Sequence, residues 1–136
     1  VGICVGMQLL FSEGHEFGVH PGLGLIPGVV DGFETNMPDS EQPGMNLKVP
    51  HMGWNRVEQR QIHPLWQGVP DQSHFYFVHS FYGRPEQTAL IAGSSQYGIE
   101  FTAAVAKENI FATQFHPEKS QKNGLTLLSN FTRWSP

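Results

Sequence analysis

The sequence predicts a mixed α/β domain in which antiparallel hairpins supply part of the sheet. Three observations predict it: a strand, tight turn and helix at the start, a hairpin pattern over residues 100–115, and an amphipathic helix at the end. Val1-Gly2-Ile3 reads as the last residues of a strand, and without an initiating methionine the chain reads as a fragment. At residues 5–12 the apolar positions Met7, Leu9, Leu10 and Phe11, with no β-branched run, predict a helix that Gly14 weakens. Residues 18–50 are rich in Gly, Pro, Asn and Asp and carry only short apolar pieces, which predicts short strands and loops. Strands are predicted at residues 46–49, 55–58, 75–79 and 89–94. A hairpin follows, with residues 100–106 and 110–115 on either side of the polar trio Lys107-Glu108-Asn109. After Gly124, the residues Leu127, Leu128, Phe131 and Trp134 recur at helical spacing.

Composition narrows the function classes. The chain has 136 residues, 39% hydrophobic and 15% charged, with 15 Gly and 10 Pro, which suits one globular domain with many turns and excludes a coiled coil. A net charge of −4 with eight Lys and Arg lacks the basic footprint of a nucleic-acid binder. No apolar run approaches the about 18 residues that a membrane span needs. The one cysteine makes neither an internal disulfide nor a cysteine-rich zinc site, and it fits a reducing, cytoplasmic compartment.

That cysteine sits in a distinctive frame. Gly2-Ile3-Cys4-Val5-Gly6 places it between two glycines at the inferred strand-to-helix turn, the layout of a nucleophile elbow. A thiol there meets the unpaired N–H groups and positive dipole of a helix start, which favour the thiolate. The Val5 N–H, one residue on, would face the oxygen of a tetrahedral intermediate. A thiol nucleophile also needs a base and a group to orient it. Of seven histidines, His116 ends an apolar strand and is followed by Pro117 and Glu118. In an extended segment residues two apart share a side, so Glu118 can hold one ring nitrogen while the other faces the thiol. Taken singly, Cys4 also fits a small buried hydrophobe, and His-Pro-Glu a solvated turn at a strand end. The two motifs in one short chain favour catalysis.

Three other patterns carry no function. His15-Glu16-Phe17-Gly18-Val19-His20 is one residue too long for a zinc-binding H-E-x-x-H helix, and Gly18 and Pro21 oppose the helix. Gly22-Leu23-Gly24 has Pro27 where a dinucleotide loop needs its third glycine. Asn130-Phe131-Thr132 is formally a glycosylation sequon but falls within a predicted helix. No metal and no cofactor is expected.

Four segments together resemble the class I, or triad, glutamine amidotransferases: Gly2-Ile3-Cys4-Val5-Gly6-Met7-Gln8-Leu9-Leu10, Pro50-His51-Met52-Gly53-Trp54-Asn55, Tyr76-Phe77-Val78-His79-Ser80 and Gln114-Phe115-His116-Pro117-Glu118-Lys119-Ser120. The second and third are similar to the glutaminase subunits of imidazole glycerol phosphate synthases, which act in histidine biosynthesis. The likeness runs nearly end to end but lacks the family's N-terminal part, with its first strands and the glycine-rich loop that gives a second oxyanion N–H.

The resemblance implies a doubly wound mixed sheet, incomplete at the N-terminus, with residues 1–136 forming the C-terminal larger part of a single amidotransferase domain. It implies a Cys4, His116 and Glu118 triad hydrolysing glutamine to glutamate and ammonia, with the Val5 N–H on the oxyanion. It also implies substrate binding by Gln8, by Glu16 at the α-ammonium, and by backbone at Ser80 and Phe81 at the α-carboxylate. The implied protein partner is the (β/α)8-barrel cyclase subunit that receives the ammonia. Met52 and Trp54 suit that interface or an ordinary core, and Lys119 suits the partner or plain solvent. Two alternatives stay open: the glutaminase of another synthase or a γ-glutamyl cysteine hydrolase, and an inactive fragment active only in association. The isolated chain is expected to have little activity, since losing one oxyanion donor costs about 10²–10³ in rate.

Overall fold

A computed structural model describes residues 1–136. In chain order the elements are β1 (Gly2–Ile3), α1 (Val5–Gln8), β2 (Phe11–Gly14), β3 (His20–Pro21), β4 (Ile26–Gly32), β5 (His51–Arg56), β6 (Glu58–Gln59), β7 (His74–His79), β8 (Phe81–Pro85), β9 (Ile91–Tyr97), β10 (Ile99–Lys107), β11 (Ile110–Thr113) and α2 (Gln121–Arg133). The class is mixed α/β. A five-stranded sheet runs β1-β11-β10-β9-β6, a four-stranded sheet β3-β2-β4-β8, and β5 and β7 form a two-stranded ribbon. Only the β1/β11 and β2/β4 pairs are parallel; hairpins and antiparallel edges make up the rest.

The opening helix is shorter than its composition predicts. It closes at Gln8 because Phe11 is drawn into a long-range ladder with Ile26, where its ring is fully buried and lies tight against Gly83. One turn of helix has little stability of its own, so tertiary pairing decides the boundary. Residues 46–49, predicted as a strand, form only an isolated bridge between Pro38 and Asn46. The strand begins after Pro50 instead, because β5 pairs along its whole length with β7, from His51 opposite His79 to Arg56 opposite His74. The predicted strand at 55–58 is therefore split between the end of β5 and β6, and that at 89–94 is displaced to β9. β8 carries no sequence signal: Gly83, Arg84 and Pro85 break apolar alternation, as an edge strand permits.

The hairpin predicted around residues 107–109 is present as β10 and β11, with Lys107 opposite Ile110 and Glu108 at φ 53 in the turn. Its apolar residues feed the main core, where Phe75, Phe77, Phe101, Phe111 and Phe115 pack with Trp66 and Leu127. Each such fully buried side chain contributes about 1.5–3 kcal/mol. A smaller cluster of Met7, Phe11, Ile26, Val30, Val105 and Ala112 sits beneath α1 and holds the start of the chain. α2 packs through Leu127 and through Gly124, whose α-carbon lies so close to the Pro117 carbonyl that a Cβ would overlap it. No helix is long and apolar enough to cross a membrane.

Candidate active site

β1 lies parallel to β11 with Ile3 opposite Thr113, and the Cys4 N–H extends the ladder by donating to the Thr113 carbonyl at 2.8 Å. The chain then turns sharply: Cys4 has φ 53 and ψ −110, a conformation that residues other than glycine seldom adopt. Its carbonyl accepts from Met7 and Gln8, which starts α1. Gly2 makes the turn possible, because a Cβ there would press at 3.1 Å on the Gly6 backbone and at 3.2 Å on Ala112.

The register sets Cys4 alongside Gln114, with His116 two residues further along the same strand end. β7 touches both. The Val78 carbonyl lies 3.8 Å from Cys4 Sγ, and the Tyr76 carbonyl accepts from the His116 backbone N–H at 2.9 Å. A single-turn 3-10 helix, Pro117–Lys119, follows His116 and returns Glu118 to the ring, with Nδ1 to Oε2 at 3.2 Å. Ser120 braces this turn: its hydroxyl donates to the His116 carbonyl at 2.6 Å and accepts from the Tyr76 N–H at 2.9 Å. The pair leaves Nε2 of His116 free of protein partners. Burial pushes the Cys4 thiol above its ordinary value; the Val5 N–H and the Gln114 side chain oppose this, and the Glu118 carboxylate adds to it. A thiol so placed needs a neighbouring base to become a nucleophile.

The other residues singled out in the sequence fall around this centre. Gln8 donates through Nε2 to the Phe81 carbonyl at 3.1 Å and to Gln114 Oε1 at 3.0 Å. A cleft of about 290 Å³ is lined by Val5, Gln8, Glu16 and Phe81 among others. Ser80, between β7 and β8, is half-buried, and its carbonyl accepts from the Phe33 N–H at 3.0 Å. Neither it nor the triad lines the cleft. Glu16 is exposed on the cleft wall. Beside it His15 bonds Asp31 at 2.7 Å and Glu13 at 3.3 Å, and these carboxylates raise its pKa above the usual histidine range. Met52 and Trp54 point outward from β5, 62% and 48% exposed, so they are not core; Trp54 meets Tyr76 edge-on across the ribbon. Lys119 is also exposed. No cluster of three or more His, Cys, Asp or Glu side chains is arranged to hold a metal ion.

Sequence reasoning missed Gln114, His51, His79 and Asn55, which form a polar network behind the site. One signal was available: in β7 the inward positions Phe75 and Phe77 are followed, at period two, by His79, a polar residue on a core register.

The glutamine amidotransferase class-I family model matches residues 1–134. Among curated proteins, the chain is 53% identical to the imidazole glycerol phosphate synthase subunit HisH of Aromatoleum aromaticum, 50% to that of Nitrosomonas europaea and 54% to that of Nitrosospira multiformis. Each alignment covers 100% of this chain and 63% of the relative, so the chain spans under two thirds of their length. Among solved structures, a Thermoplasma acidophilum protein described as part of a GMP synthase aligns with TM-score 0.59 and 22% identity, over 96% of this chain and 53% of that one. A glutamine amidotransferase aligns with TM-score 0.58 and 18% identity, over 96% and 59%. Both share the fold.

Proposed function

Because the chain belongs to the class-I glutamine amidotransferase family, we propose that it carries the glutamine-hydrolysing centre of a larger enzyme, as the C-terminal larger part of one amidotransferase domain. The Cys4 sulfur attacks the side-chain amide carbon of glutamine while His116 Nε2 takes the thiol proton. The Val5 N–H stabilises the oxyanion that forms. Collapse breaks the C–N bond, and His116 returns the proton to the leaving nitrogen, releasing ammonia and leaving a glutamyl thioester on Cys4. His116 then takes a proton from water; the resulting hydroxide attacks the thioester, and the sulfur leaves with that proton to give glutamate. Glu118 keeps Nε2 facing the sulfur by accepting from Nδ1 and stabilises the imidazolium formed in each half-reaction.

Gln8, Glu16 and the backbone of Ser80 and Phe81 bind glutamine in this reading, Glu16 meeting its α-ammonium. The observation that carries the proposal is the strained Cys4 set by the β1/β11 register beside the strand end that bears the His116–Glu118 pair. The names of the relatives extend it. The ammonia passes to a (β/α)8-barrel cyclase subunit, which uses it to build imidazole glycerol phosphate in cytoplasmic histidine biosynthesis. The exposed Met52, Trp54 and Lys119 face that partner. The test is glutamate release from glutamine by the full polypeptide carrying this chain, with the cyclase added. Release that is lost in Cys4→Ala and raised by the cyclase supports the proposal; release without any response to the cyclase removes the histidine-pathway assignment.

A further inference from the structure

Behind Cys4 lies a continuous line of hydrogen bonds in which the direction of every donor is fixed. At its far end the Asn55 amide is locked by the backbone. Its Nδ2 donates to the Gln96 carbonyl at 2.8 Å, and its Oδ1 accepts from the Arg56 N–H at 2.8 Å. The second Nδ2 hydrogen faces His51 Nε2 at 3.3 Å, so that nitrogen is the acceptor and Nδ1 carries the ring proton. His51 Nδ1 meets His79 Nε2 at 2.9 Å, which makes His79 Nε2 the acceptor in turn. His79 Nδ1 then donates to the Phe81 carbonyl at 2.8 Å.

The same carbonyl accepts from Gln8 Nε2 at 3.1 Å, so both of its lone pairs are engaged. Because that Gln8 atom is a donor, the Gln114 atom 3.0 Å from it is the oxygen, and Gln114 Nε2 points at Cys4 Sγ, 3.5 Å away. Gln114 is 0% exposed. Turning its amide over would set two donors face to face and leave a buried N–H without a partner, which costs about 1–3 kcal/mol. No buried side-chain nitrogen or oxygen in the molecule lacks a partner.

We propose that the Gln114 amide donates to the Cys4 sulfur during the reaction, and that the Asn55–His51–His79 chain is a set of positioning residues that holds this donor in place through the Phe81 carbonyl and Gln8. The inference rests on Cys4 being the nucleophile. It adds a side-chain donor to the sulfur beside the Val5 N–H, where negative charge sits before attack and again when the thioester breaks. The line works only with both histidines neutral, since a proton on His79 Nε2 would set two donors face to face at 2.9 Å and one on His51 Nε2 would do so with Asn55 at 3.3 Å. Burial keeps them so, pushing His51 down to about 3 and His79 to about 4. The titratable group bearing on the sulfur is Glu118, and that bearing on His79 is His116.

The experiment follows alkylation of Cys4 by iodoacetamide against pH in the full polypeptide, read by mass spectrometry of the Cys4 peptide. It needs no turnover, so it is independent of glutaminase activity. Gln114→Met keeps the volume without a donor, and Gln114→Asn withdraws the amide from the sulfur. Both are expected to raise the midpoint by about one pH unit, making alkylation about tenfold slower below it. His79→Phe, which loses the bond to Phe81, is expected to shift the midpoint the same way by less, whereas His79→Asn, which retains a donor at the Nδ1 position, restores it. An unchanged midpoint in either folded Gln114 variant overturns the donor role. An unchanged midpoint in His79→Phe, or no recovery in His79→Asn, overturns the relay. A shifted midpoint in a protein that never releases glutamate leaves this inference standing and overturns the glutaminase reading instead.

Discussion

The Cys4 N–H bonds the Thr113 carbonyl at 2.8 Å, one step beyond the last ladder pair of β1 and β11, and this bond pins the chain where it reverses into α1. It places a residue near the start of the chain against the strand end that leads to His116. The consequence is a residue held at φ 53 and ψ −110, with its sulfur directed between β7 and Gln114.

Backbone strain of this kind costs about 1–3 kcal/mol in a residue with a Cβ. Cys4→Gly is expected to be more stable than Cys4→Ala by about 1 kcal/mol, since glycine adopts positive φ freely. Urea unfolding of the two variants measures the difference; equal midpoints would show that the turn is not strained.

The His116–Glu118 pair is half exposed at the carboxylate, so solvent screening leaves it worth under about 1 kcal/mol of stability. Its importance lies in orientation. Glu118→Gln is expected to lower kcat for glutamine hydrolysis about 10²–10⁴-fold with little change in KM, and unfolding midpoints should barely move. Removing this carboxylate also removes one influence that raises the Cys4 thiol, so the pH midpoint of alkylation should fall. An upward shift would contradict the placement of Glu118.

His51 and His79 give the fold a defined acid sensitivity. Their folded pKa values, about 3 and about 4, lie below the ordinary histidine value of 6.5, so the unfolded chain binds more protons than the folded one between these limits. Stability is therefore complete above pH 6.5 and declines as the pH falls toward 4, by about 1.4 kcal/mol per pH unit for each proton involved. His79→Asn should flatten the dependence by about one proton. Denaturant unfolding at pH values from 7 to about 4 measures it, and an unaltered slope in the variant would remove His79 from this role.

Gly124 is where α2 meets the turn that carries Glu118. A Cβ at this position would overlap the Pro117 carbonyl, which is backbone and has little freedom to yield. Gly124→Ala is expected to destabilise by about 1–3 kcal/mol despite its better helix propensity, and to lower kcat by moving Glu118. A stabilised variant would show that the helix does not bear on the turn.

The parts of the site that rest on local motifs were legible in the sequence. The glycine frame of Cys4 and the spacing of His116 and Glu118 need only a strand end and a turn, which composition marks clearly. The extent of α1 was not legible, because Phe11 continues the helical spacing of Met7 and Leu10 and the partner that claims it, Ile26, is remote in sequence. β5 was misplaced for a similar reason: Met52, Trp54 and Arg56 look outward while His51 and Asn55 look inward, so polarity alternates in the opposite sense to an ordinary half-buried strand. That inversion also hid the polar network. Histidine and asparagine read as surface residues until the structure shows each with its bonds satisfied.

The most direct test of the account is to trap the covalent intermediate. The full polypeptide is incubated with glutamine and the proposed cyclase partner, quenched in acid and digested. The expected result is a glutamyl adduct on the peptide bearing Cys4, absent when Cys4→Ala is treated in the same way. Glutamate release that persists in Cys4→Ala, or an adduct on any other residue, would contradict it.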